Sequence, residues 1–219
     1  MKVLAINGGF RVKGNSTIML NEFSRGVRDA GFELDLVNVK NLNIQSCMGC
    51  LRCNLIKRCS IRGDDWKILS QKILAADAIV FSSPVYFHHI TGDLKKVLDR
   101  FRSFVNVRLK EDGLIHTPWQ IWNKKFVLLM SQGSPDDSDA KPAKDLFEFV
   151  ISMLGNNNSL KFLLGKRLVV SGQLKMNEEE LKDLYVKLKI PFKCLKNDLM
   201  SNTALLNDCY NAGLNLMAS

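Results

Sequence analysis

Five short apolar runs, most of them followed by a stretch with helical spacing, constrain this chain more than any other feature. "KVLAIN" (2–7), "ELDLVNV" (33–39), "AIVFSSP" (78–84), "KFVLLMS" (125–131) and "RLVVSG" (167–172) read as strands. Helical spacing covers about 16–30, 64–77, 92–101 and 143–155, and "NEEELKDLYVKL" and "DLMSNTALLNDCYNAGL" read as two closing helices. Strand–helix units in series pack as a parallel sheet covered on both faces, because every parallel crossover needs a helix to return. The expectation is an α/β fold, a doubly wound five-stranded parallel sheet. Such sheets bind ligands outside the carboxyl ends of their strands, and the Gly-, Ser- and Asn-rich loops of this chain fall there.

A length of 219 residues suits one domain over 1–219, with a cysteine segment at 46–60 and a longer connection at 103–123. That connection carries Trp119 and Trp122 and reads as a lid, a subunit contact or a packing flap. The 46% hydrophobic and 24% charged content excludes a disordered or fibrous chain. "MKVLAINGG" has too short an apolar run for a signal peptide, and no eighteen-residue apolar stretch occurs, so a cytoplasmic protein with no membrane partner is expected. The net charge is +9, but the lysines are scattered rather than gathered with aromatics. That pattern suits a solvated exterior and phosphorylated cofactors, and no nucleic-acid partner is expected.

Three loops carry candidate chemistry. "NGGFRVKGNST" (7–17) joins a strand to a helix N-terminus, where backbone N–H groups favour an anion. Arg11 offers a guanidinium fork there, and Asn15, Ser16 and Thr17 offer neutral donors. The loop is neither a P-loop nor G-x-G-x-x-G, so it suits the single phosphate of a mononucleotide, or serves only to cap the helix. In "SSPVYFHHITGDLKK" (82–96), Pro84 stiffens the turn, and Val85, Tyr86 and Phe87 either face a flat heteroaromatic ring or plug the core. "SQGSPDDSD" (131–139) adds Gln132 and Gly133, the glycine permitting close backbone approach. The pair His88–His89 beside such a ring is either a proton donor or a polar rim.

Cys47, Cys50, Cys53 and Cys59 crowd thirteen positions with spacing C-x2-C-x2-C-x5-C. A structural zinc site usually joins two separated knuckles. Three cysteines at intervals of three suit a larger iron–sulfur cubane, whose irons lie further apart. Zinc, and free or redox-active thiols, remain as alternatives. Cys194 and Cys209 read as small buried hydrophobes.

Taken together, the "NGGFRVKGNST" loop, the "SSPVYFHHITGDLKKVLDR" stretch and the cysteine run resemble the NADPH-dependent FMN reductase group of flavodoxin-like proteins, and more narrowly the iron–sulfur flavoproteins. The likeness covers about residues 1–135. It implies a flavodoxin-like sheet and an FMN-dependent oxidoreductase moving electrons between NAD(P)H or a ferredoxin-like carrier and a small-molecule acceptor. By resemblance Arg11, Asn15, Ser16 and Thr17, with Gly9 in the same loop, hold the FMN phosphate. Pro84, Val85, Tyr86 and Phe87 line the ring, and Gln132 and Gly133 lie at its edge. The four clustered cysteines would ligate a 4Fe–4S cluster. In this group Ser-Pro usually stands where this chain has Gly9-Phe10, and a small residue where it has His88. The resemblance also implies a homodimer or homotetramer with each cluster near a neighbour's FMN. Because the cysteines follow the second strand, they are expected on the cofactor edge of the sheet. The alternatives are a cluster-free NAD(P)H-dependent FMN or quinone reductase and a zinc-stabilised binding module.

Overall fold

The computed structural model describes residues 1–216. Its five-stranded parallel sheet comprises β1 (Lys2–Asn7), β2 (Glu33–Asn38), β3 (Ala78–Pro84), β6 (Lys125–Ser131) and β7 (Ser159–Gly165), in the order β2-β1-β3-β6-β7. The three central strands are almost wholly buried because both faces are covered, which is why they read as continuous apolar runs. Their pleat divides the core. Val3, Ala5, Val80 and Leu129 pack beneath α1 (Asn15–Asp29) and α7 (Leu195–Leu214). Leu4, Ile6, Phe81 and Leu128 pack beneath α3 (Trp66–Ala75), α4 (Gly92–Arg100) and α5 (Lys141–Met153). Helices α1 and α7 approach through Gly26 and Gly213, where a Cβ on either would strike a backbone carbonyl of the other helix.

The expected fifth strand is displaced. Arg167–Gly172 is not a strand; the sheet is closed by Ser159–Gly165, an edge strand half-buried along its length. After Gly165 the chain turns at Arg167 (φ +59°), and Val169 N–H donates to Gln173 Oε1 rather than to a neighbouring strand. The run "FLLGKRLVV" is apolar on both sides of the turn, so composition alone does not say which half pairs.

The connection 103–123 folds as an antiparallel hairpin, β4 (Val105–Lys110) with β5 (Gly113–Pro118). Trp122 is buried against Phe104 and Phe126, so part of the connection belongs to the core. The closing helices are α6 (Glu178–Leu188) and α7, with Asn177 and Glu180 forming a reciprocal cap at the start of α6. Cys209 is fully buried between α1 and α7, and its thiol pKa is pushed up to about 12 by burial, as expected of a small hydrophobe; Cys194 is half-buried. Among the described residues no helix is long and apolar enough to cross a membrane.

Candidate functional site

At the carboxyl end of the sheet, four loops enclose a cleft of about 280 Å³. The loop after β1 is fixed first: Gly8 N–H donates to Ser82 O (2.7 Å), Thr91 Oγ1 to Gly8 O (2.9 Å), and Gly9 N–H to Asn7 Oδ1 (2.9 Å). Thr17 Oγ1 and Gly14 N–H both donate to Arg11 O, folding the loop onto the start of α1. The N-cap is Gly14, without a side-chain cap, and the first turn of α1 holds no acid. Its N–H groups are therefore available to an anion entering the cleft. Exposed Arg11 and buried Ser16 line this end. A Cβ on Gly9 would lie 3.0–3.1 Å from Ser16 Oγ, Asn7 Oδ1 and Thr17 Oγ1, so glycine keeps the floor free of bulk.

Asn15 lines the cleft and is also tied to its far wall. Its Nδ2 donates to Val170 O (2.8 Å) and its Oδ1 accepts from Leu174 N–H (3.1 Å), so it positions the loop after β7. That loop, Leu168–Ser171, forms a wall of the cleft, and Ser171 Oγ ties it to Lys13 O (2.8 Å). The sequence reading missed this wall because it assigned these residues to a strand; their apolar character next to a Gly-Lys-Arg turn was the available signal.

Pro84, Val85 and Tyr86 line the opposite wall, with Val85 N–H donating to Ser131 O (2.8 Å). Tyr86 is 50% exposed and is not a core plug. Phe87 is 100% exposed and lies outside the lining, at the tip of a tight turn in which Phe87 and His88 both have positive φ. His88 Nδ1 faces Asp139 Oδ1 at 3.5 Å, and burial followed by the Lys95 charge lowers the His89 pKa. Neither histidine lines the cleft.

Gln132 is buried beside Gly133. Its Nε2 donates to Ser134 O and Asp136 O, while its Oε1 has no partner. A Cβ on Gly133 would come within 3.0 Å of Val169 Cγ1, so glycine lets the two loops close together. The cleft thus offers an anion site at one end, apolar walls, and an unpaired acceptor suited to the N–H of a planar heterocycle.

The four clustered cysteines line a second, smaller cavity of about 140 Å³. All six cysteines are free thiols. Cys53 heads the short helix α2 (Cys53–Ile56); burial raises its pKa, while Arg102 Nη1 lies 3.6 Å from its sulfur. The Cys50 thiol is lowered by the Ser60 hydroxyl (3.4 Å) and then by the Arg52 backbone. Among the described residues no three His, Cys, Asp or Glu side chains are close enough for a single metal ion. A cubane spreads its thiolates over separate irons, so four cysteines around one cavity fit it better than they fit one ion. Arg100 lines the same cavity with buried Nε and Nη2 atoms that lack partners, which suits an anionic occupant.

The cysteine cavity is not at the cofactor edge expected from its place after β2. Its wall includes Arg100, Arg102 and Ser103, at the far end of α4, and it shares no lining residue with the cleft. Nine residues of α4 correspond to about 13 Å of descent from the cleft end. Arg100 causes this placement, as Nη1 donates to Gln45 O (2.8 Å) and Asp64 Oδ2 (2.6 Å), clamping both ends of the cysteine segment.

The model of the NADPH-dependent FMN reductase family matches residues 1–157. The chain belongs to that family. An iron–sulfur flavoprotein of Archaeoglobus fulgidus is 39% identical over 102 residues, 47% of this chain and 49% of the relative. An iron–sulfur flavoprotein of Methanocaldococcus jannaschii is 34% identical over 102 residues, 47% and 52% respectively. The matched stretch thus spans about half the length of these relatives. Among solved structures, the NAD(P)H:quinone oxidoreductase from Methanothermobacter marburgensis superposes with a TM-score of 0.65 at 17% identity, covering 99% of this chain and 98% of that one. At that identity the likeness establishes the flavodoxin-like fold of this FMN reductase family member.

Proposed function

We propose that this family member is an FMN-dependent oxidoreductase that also carries a 4Fe–4S cluster, moving electrons between NAD(P)H or a ferredoxin-like carrier and a small-molecule acceptor. The observation that carries the flavin reading is the cleft itself: an uncapped α1 N-terminus beside Arg11, facing the apolar wall Pro84–Tyr86 and the unpaired Gln132 Oε1. Arg11, Ser16 and the backbone from Gly9 to Thr17 would hold the phosphate. Pro84, Val85 and Tyr86 would flank the ring, with Gln132 and Gly133 at its edge. Asn15 and Thr17 would stand beside Arg11 and Ser16 at the phosphate while also positioning the loops. Cys47, Cys50, Cys53 and Cys59 would hold the cluster, with Arg100 and Arg102 balancing its charge. A bound flavin accepts a hydride as two electrons and can release them singly, while a cluster passes one at a time. The separation of cleft and cysteine cavity along α4 supports a homodimer or homotetramer in which the cysteines of one subunit approach the cleft of another.

A second reading is a cluster-free NAD(P)H-dependent FMN or quinone reductase, favoured by a cleft whose walls are complete without any of the cysteines. An anaerobic absorbance spectrum with iron, sulfide and flavin analysis separates the two. Stoichiometric FMN with about four irons per chain supports the first reading. FMN without iron supports the second, and FAD as the sole flavin removes both.

A further inference from the structure

The wall Leu168–Ser171 of the flavin-type cleft rests on a buried carboxylate that lies outside the cleft. Asp198 of α7 accepts from Arg167 Nε (2.7 Å) and, on the same Oδ2 atom, from the Tyr185 hydroxyl of α6. Both Asp198 and Tyr185 are buried. Burial and then the Asp198 bond push the Tyr185 pKa up to about 12, so its hydroxyl stays a donor near neutral pH. Arg167 leads into the wall at φ +59°, a conformation that a residue with a side chain holds only where its surroundings impose it. From that turn Gln173, also buried, spaces the backbone. Its Nε2 donates to Arg167 O (2.7 Å), and its Oε1 accepts from Val169 N–H (2.8 Å) and Val170 N–H (3.3 Å). Val170 packs against the small core of Leu181, Leu184, Tyr185 and Leu195.

The same turn is joined to the loop after β6. Gln132 N–H donates to Gly165 O (2.8 Å), Leu168 N–H to Gln132 O (2.9 Å), and Arg167 N–H to Ser134 O (3.3 Å). A displaced Arg167 would therefore move two parts of the cleft at once, the apolar wall and the buried Gln132 whose Oε1 is unpaired. The family match ends at residue 157, so this brace comes from the part of the chain beyond it. We propose that Asp198 is a positioning residue for the cleft: by holding Arg167 in its left-handed turn, it sets the placement of Leu168–Ser171 and of Gln132 for the bound flavin. That the occupant is a flavin rests on the function proposed above. A tie between α6 and α7 alone would need only the Tyr185–Asp198 pair. The Arg167 bond, on the cleft side of the carboxylate, is what such a tie leaves unexplained.

The test compares Asp198→Asn, Arg167→Ala and Arg167→Gly in the 219-residue chain. Flavin-free samples are titrated with FMN by fluorescence, and hydrogen exchange over 168–173 is followed in the same samples. Ala and Gly at position 167 strip Asp198 of the same partner, but only glycine adopts the left-handed turn without strain. Asp198→Asn and Arg167→Ala should weaken FMN about tenfold, the equivalent of one lost hydrogen bond to a charged group, and speed exchange over 168–173. Arg167→Gly should recover most of that affinity while its unfolding midpoint stays below wild type. Equal losses of affinity in the Ala and Gly variants would mean that the turn is not what the carboxylate controls, and would overturn the proposal. So would an Asp198→Asn protein with a lower unfolding midpoint but wild-type FMN affinity and exchange, because Asp198 would then only join the helices. Should Asp198→Asn fail to fold, the Ala–Gly pair decides alone. A wild-type protein that binds no FMN removes the flavin reading and leaves the brace to the exchange measurement. Faster exchange in Arg167→Ala than in Arg167→Gly then keeps the brace, and equal exchange removes it.

Discussion

The flavin-type cleft takes its walls from loops between Gly9 and Ser171, whereas the cysteine cavity takes most of its wall from residues 47–61. The cleft loops are bonded to one another: Thr91 to Gly8, Val85 to Ser131, Asn15 to Val170, Ser171 to Lys13. The sheet therefore fixes the cleft whether or not a ligand is bound. The cysteine segment is clamped at its ends by Arg100 and in its middle by Asn54, which bonds to Val107 and Arg102, but elsewhere it winds through Gly49, Leu51, Lys57 and Gly63, all at positive φ. Leu51 and Lys57 carry side chains in that region, at a cost on the order of 1 kcal/mol each. One site is held by bonds among all its walls; the other is held at its ends and at Asn54, and the cluster proposed above would add to its order.

The largest break in this comparison is expected from Cys50→Ala. Loss of one thiolate should abolish iron and sulfide binding while FMN stays at its wild-type ratio, because no cysteine lines the cleft. Hydrogen exchange should speed up over 47–61 and remain unchanged over 82–91. Loss of flavin with the iron would mean that the two sites are coupled within the chain.

Next is the clamp. The Arg100 and Asp64 side chains are both fully buried, so Asp64→Ala leaves a cation without its partner and should cost about 3–5 kcal/mol in denaturant unfolding. Burial alone would raise the Asp64 pKa, but the Arg100 hydrogen bond, Gln45 N–H and the Arg100 charge together bring it below 3.8. A folded-state pKa below the unfolded one gives stabilisation that is present at neutral pH and lost as the pH falls through the folded value. In wild type, acid should therefore loosen the cysteine segment only below about pH 4, while Asp64→Asn should show a weakened segment already at neutral pH. An Asp64→Asn protein indistinguishable from wild type at pH 7 would show that the ion pair is not what holds the segment.

Arg11→Ala probes the other site. Removing a charge-assisted donor to a phosphate should weaken FMN by about 1.5–3 kcal/mol, leaving iron content unchanged. Fluorescence titration of flavin-free protein measures it, and unaltered affinity would place the phosphate elsewhere.

What the sequence disclosed follows the same division. The strands 2–7, 78–84 and 125–131 were legible because strands buried on both faces are continuous apolar runs, and the loops leaving them could be read as cleft walls. The closing strand was misplaced because an edge strand such as Ser159–Gly165, interrupted by Lys161, looks no more strand-like than the apolar loop after it. That single displacement hid Leu168–Ser171 from the site, and with it the part Asn15 plays in anchoring that loop. The cysteine spacing was visible, but its position was not. Local spacing says nothing about where Arg100, some fifty residues away in sequence, carries the segment.

The smallest effect expected on stability is the sharpest on the preformed cleft. Tyr86 is half exposed and its backbone is held by the reciprocal pair Tyr86 N–H to His89 O (2.8 Å) and His89 N–H to Tyr86 O (3.0 Å), bonds that a substitution of the side chain leaves in place. Tyr86→Ala should therefore cost far less than the roughly 3–5 kcal/mol of a buried aromatic, within about 1 kcal/mol of wild type. If the ring flanks the flavin, its removal exposes one side of the heterocycle to water and should shift the visible absorbance bands of the bound FMN. The neighbouring Phe87→Ala, lying outside the lining, should leave those bands in place. The pair separates a wall residue from a mere rim residue: an unmoved spectrum in Tyr86→Ala, or an equal shift in both, would mean that the turn does not flank the ring and that the apolar wall is supplied by Val169 and Val170 across the cleft.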